Sequence, residues 1–147
     1  MEEARSFFSD DDLQELKQAI RNAELKTSGE IRIHIENTCH GQEALDRAVE
    51  IFASFEMHKT EKLNGVLFYL AVQDHKFSIL GDVGINRKVP KNFWEEIKNS
   101  MQEYFKKKQF KEGLEYGVHQ AGHELMEYFP YQHDDINELP DEITFGD

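Results

Sequence analysis

Residues 65–72, GVLFYLAV, form an almost unbroken apolar run. A strand of that kind is covered on both faces, not on one. Helices must therefore lie above and below whatever sheet it joins, and the rest of the chain supplies them. Ser9 followed by Asp12 makes a capping pair, with Asp10 and Asp11 in a first turn that favours negative charge. Leu13, Leu16, Ile20 and Ala23 then recur at helical spacing up to a stop at Thr27-Ser28-Gly29. EIRIHIE (30–36) alternates, with Ile31, Ile33 and Ile35 on one face and Glu30, Arg32, His34 and Glu36 on the other. A second helix carries Ala44, Leu45, Ala48, Ile51, Phe52 and Phe55. After the apolar run, QDHK (73–76) leads into FSILGD, so the two strands form a hairpin. A third helix follows Pro90, and a fourth runs from about Phe110 until Pro130 ends it.

The predicted order is αβαββαα. Strand, helix and strand make a right-handed crossover with parallel strands, and the hairpin partner runs antiparallel. The fold class is α/β: a three-layer α/β/α sandwich around a small mixed sheet. At 147 residues the chain is read as one domain over 1–130 with an acidic tail over 131–147. In that tail Ile136, Leu139 and Phe145 are the residues able to dock.

Charge narrows the partners. The chain has 17 Lys and Arg against 29 Asp and Glu, a formal charge of -12. Nucleic acid and anionic membrane need a positive surface, so both are disfavoured. No secretory leader opens MEEARSFFSDDD, and no apolar run reaches the roughly 20 residues that span a bilayer. The chain reads as soluble and cytoplasmic, without membrane insertion.

The topology brings three chain crossings to one sheet edge: Ser28-Gly29-Glu30, Leu63-Asn64-Gly65 and Gly81-Asp82-Val83-Gly84. Glu24, Thr60 and Glu61 are expected there too, as is the start of the third helix with its unpaired N–H groups. Two carboxylates about 5 Å apart repel by roughly 3 kcal/mol at an effective dielectric near 20, which a divalent cation would relieve. Carboxylate, amide, hydroxyl and carbonyl oxygens suit hard Mg²⁺ or Ca²⁺. Asp before Gly is also ordinary turn and cap chemistry, and Glu24 and Glu30 can equally tie down the Thr27-Ser28-Gly29 turn.

Other groups read as structural. Cys39, the single cysteine, precedes His40, but adjacency makes no catalytic pair and the arginine of a cysteine phosphatase loop is missing. His119 and His123 have zinc-ligand spacing, but Gln120 stands where a metalloprotease carries its glutamate. Lys106-Lys107-Lys108 suits a helix C-terminus.

AELKTSGEIRIHIE (23–36), FEMHKTEKLNGVLFYLAV (55–72), FSILGDVGI (77–85), the tryptophan of KNFWEEI (91–97) and the FKEG…FP pattern (110–130) together resemble the TPM domain family. That resemblance spans about residues 10–130. It implies an α/β/α sandwich and divalent-cation binding at the loops, with Glu30, Asn64 and Asp82 as site positions and Glu24 and Thr60 beside them. It also implies either a regulatory or assembly module acting through a protein partner, or a metal-assisted acid phosphatase acting on a phosphorylated small molecule. Phosphatase activity has been proposed for plant members. The membrane segment of many relatives has no counterpart in this sequence.

Overall fold

The computed structural model describes residues 3–131 and 142–146. Its elements are α1 (Ala4–Phe7), α2 (Asp10–Glu24), β1 (Glu30–Glu36), α3 (Ala44–Ser54), β2 (Gly65–Ala71), β3 (Lys76–Gly81), α4 (Val83–Asn86), α5 (Phe93–Lys106), α6 (Phe110–Leu125) and β4 (Ile143–Phe145). The four strands lie in the order β3-β2-β1-β4. β1 and β2 are parallel, as are β1 and β4, and the β2–β3 hairpin is antiparallel.

All seven residues of β2 are buried, as its composition requires. Val66, Phe68 and Leu70 face a core shared with Ile31, Ile33 and Ile35 of β1 and with α2, α5 and α6. Leu67, Tyr69 and Ala71 face the other way, against Ala44, Ala48, Ile51 and Phe52 of α3. Among the described residues the three long helices α2, α5 and α6 therefore cover one face, joined by Ala4 of α1 and Ile85 of α4, and α3 covers the other. α6 packs tightly at Gly117, where a Cβ would stand 2.5 Å from the Met101 sulfur of α5 and 2.9 Å from the Phe68 ring of β2. The Ser9 hydroxyl accepts from the Asp12 amide at 3.0 Å and starts α2 as the capping pair predicts.

Three elements go beyond the predicted order. α1 precedes the first long helix. α4 intervenes before the helix after Pro90, so Asp82 caps a four-residue turn of helix and not the start of a long one. The expected arrival of a long helix N-terminus at Asp82 is thereby corrected. β4 comes from the C-terminal segment and extends the sheet beyond β1. Phe145 docks as expected, while Ile136 and Leu139 lie outside the described residues. Among the described residues no helix is long and apolar enough to cross a membrane.

Candidate functional site

The strand register assembles the rim expected from sequence. Glu30 opens β1 opposite Gly65, and Gly81 closes β3 opposite Val66. The Glu30 amide donates to the Asn64 carbonyl at 3.3 Å, and the Asp82 amide donates to the Gly65 carbonyl at 2.9 Å. One dipeptide, Asn64-Gly65, thus holds Glu30 on one side and Asp82 on the other.

Their side chains are buried. Asn64 is 1% exposed, Glu30 4% and Asp82 8%. Asp82 Oδ1 accepts from the Val83 amide at 2.7 Å, whereas Oδ2 is buried without a hydrogen-bond partner. The Asn64 amide nitrogen donates to Ser28 Oγ at 3.3 Å, and its Oδ1 is likewise buried and unmatched. An unmatched buried acceptor costs about 1–3 kcal/mol, so two on one rim leave negative potential that no donor offsets. Glu30 faces Arg32, with Oε2 3.6 Å from Nη2.

The other two expected ligands have protein work. Glu24 Oε2 accepts from the Ile31 amide and from Arg32 Nη1, both at 3.0 Å, and so fastens the end of α2 to β1. Thr60 Oγ1 accepts from the Asn64 amide at 3.1 Å and shapes the loop. Leu63, just before Asn64, has φ +52°, a left-handed conformation that costs a bulky residue on the order of 1 kcal/mol. Its amide donates to Thr60 and its carbonyl accepts from Gly84, which hold it there.

The donor set fits a hard cation in chemistry: one carboxylate oxygen, one amide oxygen and a neighbouring glutamate, with backbone carbonyls close by. It is not a carboxylate cage. Among the described residues, no three His, Cys, Asp or Glu side chains converge as a metal-holding group. Arg32 also supplies positive charge to Glu30, which leaves Asp82 Oδ2 and Asn64 Oδ1 as the oxygens that could hold a cation.

The remaining titratable groups lie elsewhere. The second face of β1 buries Arg32, His34 and Glu36. Arg47 of α3 donates through Nε to Glu36 at 2.8 Å, and this bond raises the arginine's pKa. His34 Nδ1 lies 2.7 Å from Thr144 Oγ1 of β4; burial, then the Arg47 charge, pushes its pKa down to about 4. The sequence reading named neither Arg47 nor Thr144. The signal for Arg47 was present, since a glutamate on a covered strand face demands a cation from the covering helix. Thr144 had no such signal. Cys39 is fully buried and its thiol pKa is raised by burial, the reverse of an activated nucleophile. His119 and His123 are exposed on α6.

A family model described as the TPM domain matches residues 2–124. The NMR structure of the BA42 protein from the psychrophilic bacterium Bizionia argentinensis is 43% identical, with a TM-score of 0.91, covering 99% of this chain and 100% of that one. The N-terminal domain of a P. gingivalis protein is 16% identical with a TM-score of 0.69, covering 87% of this chain and 83% of that one. The N-terminal domain of the cg2496 protein from Corynebacterium glutamicum is 10% identical with a TM-score of 0.62, covering 92% and 79%. These last two share the fold. No curated protein matches the chain.

Proposed function

The chain belongs to the TPM domain family, and from that premise we propose that it is a divalent-cation-binding module that acts through a protein partner. The carrying observation is the pair of buried, unmatched oxygens, Asp82 Oδ2 and Asn64 Oδ1, on one rim. Ca²⁺ or Mg²⁺ held by Asp82 and Asn64, with Glu30 sharing its carboxylate between the ion and Arg32, would satisfy both. Remaining positions of a six- to eight-coordinate ion stay open to water or to a partner's oxygen.

A partner role is supported by what surrounds the rim. Leu25 is 65% exposed, Val83 47%, Met126 42% and Tyr131 41%. Val83 follows Asp82 directly, Leu25 follows Glu24, and Met126 and Tyr131 flank the Phe129 segment that pairs with Ser28. The Ser28 amide donates to the Phe129 carbonyl, Gly84 abuts Leu63, and Lys88 lies over the Phe129 ring at 4.6 Å. Exposed apolar side chains beside a buried polar centre are the makings of a contact surface. The second reading is a metal-assisted phosphatase, in which the ion would activate a water as the nucleophile.

Trp94 is the single tryptophan. Its ring lies 2.7 Å from where a Cβ on Gly81 would stand, one residue from Asp82. Titration with Ca²⁺ and with Mg²⁺ should change its fluorescence saturably and raise the thermal midpoint. Asp82→Asn should weaken the response at least tenfold. A wild-type protein that ignores both ions, or an Asp82→Asn variant that binds as before, overturns the reading. Hydrolysis of an aryl phosphate that needs Mg²⁺ and vanishes in Asp82→Asn would establish the phosphatase instead.

A further inference from the structure

At the other end of β2 from Asn64, a cleft of about 230 Å³ opens between the β2–β3 hairpin and the α5–α6 corner. Its wall is aromatic. Phe105 meets Phe77 edge to face at 4.7 Å and stacks on Phe110 at 5.5 Å, and Phe110 meets Phe7 at 5.1 Å. The array is fixed from behind: a Cβ on Gly113 would stand 2.5 Å from the Phe105 ring. Phe77, Phe105 and Phe110 all stay half-buried, so ring surface is left at the cleft.

The mouth is cationic in a chain of net charge -12. Lys76 and Lys106 line it, together with His75 and Gln102. Among the described residues Lys106 pairs with Glu103 at 3.2 Å, and both side chains are more than 60% exposed. Such a surface pair holds weakly and yields to a better anion. The hairpin's own carboxylate is turned away: Asp74 Oδ2 accepts from the Cys39 amide at 2.7 Å.

We propose that this cleft binds a small aromatic carboxylate, with its ring against Phe77 and Phe105 and its carboxylate between Lys76 and Lys106. The volume lies below the roughly 300–1,000 Å³ of sites for larger ligands, which excludes nucleotides and favours a single ring. Offset or edge-on packing supplies the ring contacts. The lysines supply discrimination by charge, against a net charge of -12 that disfavours anions in general. The site stands apart from the cation rim and does not depend on it.

The test is an amide-shift titration with phenylacetate, beside phenethylamine as the cation of similar shape. A ligand of this size should bind with a dissociation constant on the order of 1 mM. Saturable shifts are expected at Phe77, Phe105, Phe110 and Lys76, with the amine at least fivefold weaker. The exposed double variant Lys76→Glu/Lys106→Glu should keep the native spectrum and lose at least fivefold in affinity. Shifts that fail to saturate or map elsewhere, equal binding of acid and amine, or an unchanged affinity in the double variant would each overturn the assignment.

Discussion

The Gly84 amide donates to the Leu63 carbonyl at 2.9 Å, and a Cβ on Gly84 would stand 2.4 Å from that same oxygen. The neighbouring Lys62 carbonyl would be closer still, at 2.2 Å. Backbone meets backbone here, so no side chain can swing aside. Gly84→Ala should push the loop before β2 away from α4 and destabilise the protein by about 1–3 kcal/mol. Urea unfolding checks the first effect. If the rim holds a cation, the same variant should weaken it more than a comparable loss of stability at Gly117→Ala, which lies far from the rim. Equal cation affinity in the two variants would show that the loop's placement is immaterial.

Glu36 is wholly buried, and its main support is Arg47, whose side chain is 23% exposed. Removing the arginine leaves a buried carboxylate to fend for itself. Arg47→Met should therefore cost about 3–5 kcal/mol. The double variant Glu36→Gln/Arg47→Met removes the charge as well and should recover much of that loss. Denaturant midpoints of the three proteins decide it, and a double variant as unstable as the single one would contradict the account.

His34 has its folded-state pKa depressed from 6.5 to about 4, by burial first and by Arg47 second. The unfolded chain then binds more protons than the native one between those two values. Stability is greatest above about pH 6.5 and falls as the pH drops through that window to about 4. The full effect is about 3 kcal/mol. Unfolding measured at pH 7 and pH 5 should show the decline, and His34→Gln should flatten it. A slope unchanged by His34→Gln would assign the acid sensitivity to other groups.

Much of this architecture is legible from residue order. The unbroken apolar run of β2 demands helices on both sides, and the alternation of β1 puts its isoleucines on the larger core. The rim also follows from chain direction alone, because two parallel strand starts and one antiparallel strand end must share an edge. What eluded sequence reasoning has physical reasons. β4 is three residues long and pairs with a strand 110 positions away, so no local pattern announces it. α4 is a single turn set by Asp82 as a cap. The division of labour among the rim residues depended on Arg32. A cation on the polar face of β1 draws Glu24 inward and stands beside Glu30, and spacing does not reveal which carboxylates it will occupy.

The late position of β4 also bears on biosynthesis. β1 emerges early, while its partner Ile143 emerges near the end of the chain described here. Translation proceeds at roughly 5–20 residues per second, so the outer side of β1 waits several seconds or longer for its neighbour. During that interval the nascent chain presents the outer hydrogen-bonding edge of β1 to its surroundings, an edge that β4 later covers at Ile33, His34 and Ile35.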